Sequence, residues 1–163
     1  LISEAKNMLI KNEKPLINDF DLDYEIPNIQ LNLHLEFGDD YISEQKIKFE
    51  LYKRLNLCQS IQEVDIVQKQ IIDRYGKLNP EGENVIYNSL IQILAKNSSI
   101  KSIIKKRDNI HIEFNKLSLD KSLIITKLDN EISFKSNKVI ININENWKDK
   151  LMQLLTKLSK SDE

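Results

Sequence analysis

The sequence predicts an α+β fold in which an N-terminal helical part packs on a small, mainly antiparallel β-sheet, with a further helix at the C-terminal end. Apolar residues recur at helical spacing from about residue 43 to 96, and they alternate with polar residues in short stretches between 100 and 143. Helices followed by strands are typical of an α+β domain. With 163 residues, of which 40% are hydrophobic and 30% charged, the chain can form one core of ordinary size.

The first 30 residues are expected to precede the domain proper. Residues 1–12 carry apolar side chains at helical spacing, which predicts a helix. Residues 13–30 are irregular, because Pro15 and Pro27 disfavour helix, and we interpret them as a connector. The domain itself should then span residues 31–163. The acidic residues of the connector are Asp19, Asp21, Asp23 and Glu25.

A strand and a helix are predicted at the start of this domain. Leucines alternate with polar residues over 31–35, which is the pattern of a half-buried strand. A helix should follow over about 43–57, with Cys58 at the end of its apolar stripe and several cations mostly on its other side. Those cations are Lys46, Lys48, Lys53 and Arg54.

The next two helices carry clear start and stop signals. Ser60-Ile61-Gln62-Glu63 is a capping box, in which the Ser60 hydroxyl accepts the Glu63 amide proton while the Glu63 carboxylate reaches back. Gly76 stands where a left-handed residue ends a helix. Pro80 suits the first position of another helix, which should run to about Lys96. The residues expected to face inward there are Val85, Ile86, Leu90, Ile93 and Leu94.

The second half of the chain predicts a small sheet and a closing helix. Ile110, Ile112 and Phe114 alternate with polar residues, as in a strand with one buried face. The pattern of residues 117–127 is ambiguous, with a helix as one alternative. The other expected elements are strands over 102–106, 109–114, 131–134 and 138–143, a tight turn at Ser136-Asn137, and an amphipathic helix over 147–160.

The sequence predicts no catalytic, cofactor-binding or metal-binding residue, and no ATP hydrolysis by this chain. A phosphate-binding loop needs clustered glycines so that backbone amides can approach the phosphates, whereas Gly38, Gly76 and Gly82 are isolated. The soft or imidazole side chains lack the spacing of a metal-ligand set. Those side chains are Cys58, His34 and His111.

The single cysteine and the absence of long apolar runs predict a cytoplasmic protein with no membrane partner. Cys58 cannot form a disulfide within the chain, and its place on an apolar stripe favours a buried, inert thiol. His111, between two isoleucines of a strand, is interpreted as a surface or hydrogen-bonded residue rather than a catalytic one. No apolar run approaches the roughly 20 residues of a membrane span. Since the chain begins at Leu1, we expect a piece of a longer protein.

One basic cluster leaves two interpretations open. A solvated loop before a strand is the favoured one, and weak contact with nucleic acid or with an acidic protein surface is the alternative. The net charge of −1 is not that of a dedicated nucleic-acid-binding domain, and no aromatic residue is expected close enough to form a stacking platform. The cluster consists of Lys101, Lys105, Lys106 and Arg107.

Four motifs, in order between Asp39 and Leu94, are together more specific than any one of them. They are Tyr41-Ile42, the stretch Phe49-Glu50-Leu51-Tyr52-Lys53-Arg54-Leu55, the stretch Asp73-Arg74-Tyr75-Gly76 with Leu78, and Pro80-Glu81-Gly82-Glu83-Asn84-Val85. Their order and spacing resemble the C-terminal regulatory domain of the bacterial transcription-repair coupling factor (TRCF) family. The chain departs from the family pattern where Lys48 replaces the usual arginine, and also at Ser43, Lys77 and Asn79.

The resemblance implies a regulatory domain of a larger protein. That parent would be an ATP-dependent DNA translocase, an ATP hydrolase with ATP and Mg in its motor, and residues 1–12 resemble the helix that ends the motor domain. In this family the C-terminal domain packs against an N-terminal repair-subunit-like module. It thereby masks the surface that recruits the damage-recognition subunit of nucleotide-excision repair (the UvrABC system), and it restrains the motor until RNA polymerase is engaged.

The docking face is hypothesised to lie on the first and second helices of the domain. An exposed contact with a partner is one interpretation of Asp73 and Arg74, and a local structural clamp is the other. The alternative function is a module that contacts nucleic acid or polymerase through the basic cluster, and an independent small enzyme is disfavoured. The expected docking residues are Lys46, Lys53, Arg54, Asp73 and Arg74.

Overall fold

The computed structural model describes residues 26–128 and 132–160, so the helix predicted over 1–12 and most of the connector lie outside the described residues. Within them, helices precede most of the sheet, and the predicted α+β class is confirmed. The elements are β1 (Asn28–Gln30), α1 (Gln45–Leu57), α2 (Ile61–Tyr75), α3 (Pro80–Asn97), β2 (Ile100–Lys105), β3 (Asn109–Phe114), α4 (Leu119–Leu128), β4 (Ser133–Lys135), β5 (Lys138–Asn142) and α5 (Trp147–Lys160).

The strands form one sheet in the order β1-β2-β3-β5-β4. β1 runs parallel to β2, and the remaining neighbours are antiparallel, so the sheet is mixed but mainly antiparallel, as the sequence predicts. The side chains of Ile110 and Ile112 on β3 are fully buried, and they share a core with residues of α3, α4 and α5. The alternate positions, including His111, are half-buried on the other face.

The start and stop signals of α2 and α3 act largely as predicted. The Glu63 amide donates to the Ser60 hydroxyl at 3.3 Å, while the Glu63 carboxylate accepts from the amide of Gln59, one residue before the cap. Gly76 has a backbone φ of 83°, a value that residues with a Cβ rarely adopt. Asn79, which the sequence analysis did not identify as a cap, caps α3 because its side-chain oxygen accepts from the Gly82 amide at 3.0 Å.

Helix α3 contributes to two separate apolar cores. Ile91 and Leu94 pack with the sheet and with α5, whereas Val85 and Ile86 pack with α1, α2 and the loop before α1. A helix that is apolar on two sides belongs between two layers. α3 therefore joins the helical part of the domain to the sheet. Tyr87 strengthens the connection to α5, because its hydroxyl donates to the Lys148 carbonyl oxygen at 2.9 Å.

Two predicted strands and one ambiguous segment are corrected. The strand expected over 31–35 lies instead at Asn28–Gln30, inside the segment interpreted as connector, because Asn32 adopts φ of 54° and ends the extended run. Leu31 is still buried, so the alternation of leucines indicates packing against the core and not pairing with another strand. The strand expected over 131–134 begins at Ser133, and the ambiguous segment is the helix α4.

We predict that Leu94→Ala destabilises both cores together. Removing a fully buried leucine leaves a cavity that typically costs about 2–5 kcal/mol. Chemical denaturation followed by far-UV circular dichroism reports mainly the helices, and the fluorescence of Trp147, which packs against the sheet core, reports the other side. Both transitions should shift to the same lower midpoint, whereas the exposed Gln92→Ala should stay within about 0.5 kcal/mol. Two separate transitions would contradict the role of α3.

Candidate docking site

Several of the sequence motifs meet at one corner of the helical core. The Tyr41 hydroxyl donates to the Gly76 carbonyl oxygen at 2.7 Å, and the Tyr52 hydroxyl accepts from the Phe37 amide at 2.8 Å. The rings of Phe37 and Tyr52 stack with centroids 5.5 Å apart, and those of Tyr41 and Tyr75 lie 6.1 Å apart. The motif tyrosines therefore hold the loop before α1 against the middle of α1 and the end of α2, which gives them a structural role in the fold.

Lys48 belongs to this corner and not to the exposed face on which the sequence placed it. Its side chain is 1% exposed, and its ammonium group pairs with the carboxylates of Asp39 and, at 3.8 Å, Glu36. The hydrogen bond to Asp39 is the main reason that the pKa of Lys48 is raised. The loop carrying both carboxylates folds over this turn of α1. Helical periodicity alone does not show that a loop covers the position.

An exposed groove runs between α1 and α2, and we call it the α1–α2 groove. It contains one depression of about 250 Å³ near the start of α1 and another of about 280 Å³ near its end. Arg54 lines both depressions, and its guanidinium donates across the groove to the Gln70 side-chain oxygen. The residues that line the groove are Ile47, Glu50, Leu51, Arg54, Leu57, Cys58, Glu63, Ile66, Val67, Gln70, Ile71, Arg74 and Tyr75.

The structure brings two of the five expected docking residues into this groove and leaves the others beside it. Arg54 and Arg74 line the same depression, and the Arg74 guanidinium lies 5.4 Å from the centroid of the Tyr75 ring. Lys46 and Lys53 are exposed on the adjacent surface of α1, and Asp73 is exposed on α2. Of the five residues, Arg54 and Arg74 line the groove, and the other three line neither of its two depressions.

Exposed apolar residues of the groove were missed by the sequence analysis. Leu57, which lines the second depression, is 66% exposed. Phe49, one helical turn from Lys53, is 70% exposed but lines neither depression. Ile66, on the facing side of the groove, is 54% exposed. These side chains lie outside the apolar stripes of α1 and α2, so their exposure could have been predicted from the sequence. Large apolar side chains beside arginine, in a groove with a polar rim, suit binding to another protein segment.

The groove is lined by two arginines and by two glutamates, Glu50 and Glu63, so its charge is balanced as a whole. Arg54 and Arg74 each present a planar guanidinium that can hold a carboxylate through paired hydrogen bonds. Glu50 lies in the same depression as the two arginines, and its negative charge partly neutralises theirs. A mixed surface of this kind supports a reversible and salt-sensitive contact rather than a permanent interface.

The four residues of the basic cluster have different surroundings in the folded chain. Lys101 lies 3.6 Å from the Glu113 carboxylate, and Lys105 lies 5.2 Å from the centroid of the Trp147 ring. The C-terminal helix places the Trp147 ring against Lys105, a contact that the sequence analysis did not expect. Lys106 and Arg107 remain exposed in the turn between β2 and β3.

The remaining candidate side chains lie in ordinary environments. Cys58 is half-buried, its thiol donates to the Arg54 carbonyl oxygen at 3.3 Å, and burial raises the pKa of that thiol. Partial burial, together with Lys106 and Lys138, lowers the pKa of His111. Among residues 26–128 and 132–160, no three His, Cys, Asp or Glu side chains form a group that could hold a metal ion. Over the same residues, no helix is both long and apolar enough to cross a membrane.

The fold and the sequence were compared with those of known proteins. It matches a crystal structure described as the C-terminal domain of transcription-repair coupling factor, with a TM-score of 0.71 and 18% sequence identity, over 84% of this chain and 96% of that one. The model of the TRCF domain family matches residues 31–123. The chain belongs to the TRCF domain family, and the resemblance seen in the motifs is confirmed.

Relatives found by sequence comparison are named transcription-repair-coupling factor. The chain is 29% identical over 119 residues to the transcription-repair-coupling factor of Rickettsia prowazekii (strain Madrid E), a match that covers 71% of this chain and 11% of the relative. It is 26% identical over 104 residues to that of Helicobacter pylori (strain J99 / ATCC 700824), covering 64% of this chain and 10% of the relative. The chain thus spans about a tenth of the length of these relatives.

We predict that Lys48→Met lowers the melting temperature more than Lys46→Met does. Lys48 is the cation that holds the loop carrying Glu36 and Asp39 on α1, whereas Lys46 is exposed on the same helix. The first substitution leaves both carboxylates facing an apolar side chain, and the second removes only a surface charge. Thermal denaturation of the two variants at pH 7 is the measurement. Equal melting temperatures would mean that the contacts of Lys48 with Asp39 and Glu36 do not hold the loop.

Proposed function

We propose that this chain is the regulatory domain of a transcription-repair coupling factor and acts by reversible docking of its α1–α2 groove. The docking partner is the N-terminal repair-subunit-like module of the same protein. While docked, the domain covers the surface that recruits the excision-repair damage-recognition subunit, and it restrains the DNA translocase motor. Release would follow engagement of RNA polymerase.

The observation that carries this proposal is the exposed α1–α2 groove itself. The motif tyrosines and Lys48 are occupied in holding the corner together, whereas Arg54, Arg74 and the neighbouring apolar side chains face solvent. Exposed apolar side chains beside paired arginines are costly in an isolated domain unless they are covered for part of the time. An intramolecular partner supplies such cover at a high effective concentration, and a moderate affinity is then sufficient.

The mechanism requires two states of the parent protein that differ in which surface is covered. In the docked state the groove binds the N-terminal module, and in the released state the recruitment surface of that module is free. A ligand that binds only the released state shifts the equilibrium by its differential affinity. On this proposal the chain has no catalysis of its own, and ATP hydrolysis belongs to the motor of the parent. Residues 1–12 would continue from that motor, and 13–27 would connect it to the domain.

We predict that Lys53→Glu/Arg54→Glu weakens docking about tenfold or more, which corresponds to about 1.4 kcal/mol. The substitutions reverse two charges on the docking side without touching the buried core, since both side chains are exposed. Calorimetric titration of the chain with the N-terminal module measures the affinity, and the damage-recognition subunit should abolish the heat of binding by competing for the module. Binding of the wild-type chain should weaken as salt rises.

The matched control is Lys106→Glu/Arg107→Glu, which reverses two exposed charges in the turn between β2 and β3. Docking should be unchanged by this control. If the control weakens a salt-sensitive interaction with DNA or polymerase while docking to the N-terminal module is undetectable, the alternative function through the basic cluster is supported instead. Equal docking by all variants would remove the α1–α2 groove from the interface.

A further inference from the structure

The two faces of the sheet differ in what packs on them. Ile110 and Ile112 of β3 belong to the core that the sheet shares with α3, α4 and α5. Alternate residues of a strand project to opposite faces, so His111 lies on the other face, where it pairs with Ile104 of β2 and Ile140 of β5. These two isoleucines belong to neither apolar core. We call the face that carries Ile104, His111 and Ile140 the open sheet face.

Lysines from three strands meet on the open sheet face. Lys101 of β2 and Lys138 of β5 each place an ammonium group 3.6 Å from the carboxylate of Glu113, which lies on β3 between them. The β2–β3 register shifts at Lys101, and such an irregularity redirects a side chain. Lys135 of β4 pairs with Lys138 in the register and therefore stands on the same face. Glu113 is thus already shared by two cations, and the local charge is positive.

Lys106 extends this positive surface to the end of β2. Its amide donates to the Asn109 carbonyl oxygen at 2.7 Å, so the pairing of β2 with β3 continues to this residue. Lys106 is two residues beyond Ile104, which places both on the open sheet face. Partial burial lowers the pKa of His111, and Lys106 and Lys138 lower it further. Although the chain has a net charge of −1, this face carries an excess of cations.

The composition of the open sheet face favours a nucleic-acid backbone over a protein partner. Protein interfaces depend on large apolar and aromatic anchors, whereas Ile104 and Ile140 are half-buried and Phe134 of β4 stands opposite the buried Val139, on the helix side. Among strands β1 to β5, no Phe, Tyr or Trp occupies a position on this face, so single-stranded bases find no stacking platform. Its uncharged side chains can donate to phosphate oxygens. They include Ser102, Asn109, Ser133 and Asn142.

We propose that the open sheet face binds the sugar–phosphate backbone of double-stranded nucleic acid. The four lysines of this face neutralise phosphate charges, and the neighbouring hydroxyl and amide groups add hydrogen bonds. Contacts of this kind position a duplex without reading its sequence. Glu113 holds two of the ammonium groups in place at the surface. The lysines are Lys101, Lys106, Lys135 and Lys138.

This site differs both from the basic cluster of the sequence and from the α1–α2 groove. Lys105 belongs to the cluster, but it pairs with the buried Ile110 in the register, and its ammonium group lies over the Trp147 ring on the helix side. Lys135 and Lys138 are far from the cluster in sequence, and strand pairing brings them beside it. The open sheet face shares no residue with the α1–α2 groove, so the inference is independent of the proposed docking function.

Fluorescence anisotropy of a short labelled DNA duplex, titrated with the full chain at several salt concentrations, tests the proposal. Affinity for the wild-type chain should fall linearly with salt on logarithmic scales, because binding releases counterions from the phosphates. Lys106→Gln/Lys135→Gln/Lys138→Gln should weaken binding about tenfold or more at low salt. It should also reduce the slope by roughly 2 to 3, since each lost phosphate contact removes about 0.9.

The matched control is Lys46→Gln/Lys69→Gln/Lys77→Gln, which removes the same charge from exposed lysines outside the sheet. Its affinity and salt slope should equal those of the wild-type chain, and the melting temperatures of both variants should show that they fold. Equal loss of binding in the two variants, or no salt-dependent binding by the wild-type chain, would overturn the inference.

Two competitors test the choice of a duplex as the ligand. An unlabelled duplex, of DNA or of RNA, should displace the probe, and the more effective of the two identifies the preferred backbone. A single strand of the same length and polyglutamate should displace the probe less well. If either competes as well as the duplex, the surface binds another kind of polyanion and the assignment is wrong. No N-terminal module is present, so this outcome is separate from that of the proposed docking function.

Discussion

The two-sided burial of α3 is the constraint on which the rest of the structure depends. The α1–α2 pair and the five strands described here each present one apolar face, and neither face can be buried without a partner layer. Ile91 and Leu94 complete the core of the sheet, while Val85 and Ile86 complete the core of the helices. Because one helix serves both cores, the position of the α1–α2 groove is tied to the sheet and to the C-terminal helix.

The corner around Phe37 shows that the residues of a family motif can serve the fold rather than a binding site. Tyr41, Tyr52 and Gly76 belong to motifs that carry the family resemblance, yet their polar groups are used to hold the loop before α1. Lys48 adds a buried charge that is satisfied by Asp39 and Glu36. On the proposed function, docking uses neighbouring positions, of which Arg54 and Arg74 line the groove.

On the proposed function, the mixture of charge and apolar surface in the groove makes docking reversible. An interface held by buried apolar area alone would be too stable to release, and one held by exposed ion pairs alone would contribute little. Arginines at the rim of an apolar depression add specificity for carboxylates while keeping the contact sensitive to competition. An intramolecular partner can use such a surface at moderate affinity, because the tether supplies a high local concentration.

Features that depend on local physics could be predicted from the sequence alone. Ser60 and Glu63 start α2, Gly76 ends it, and the two-residue period of β3 places Ile110 and Ile112 in the core. These follow from short-range hydrogen bonds and side-chain direction. The order and spacing of the motifs also sufficed to predict the family.

Only the tertiary structure decided which surfaces are covered. It buried Lys48 beneath the loop before α1, moved the first strand to Asn28–Gln30, and set Trp147 against Lys105. It also left Leu57 open beside Arg54. Helical and strand periodicities describe one element at a time, whereas exposure depends on which distant segments pack over that element, and that is a property of the folded chain.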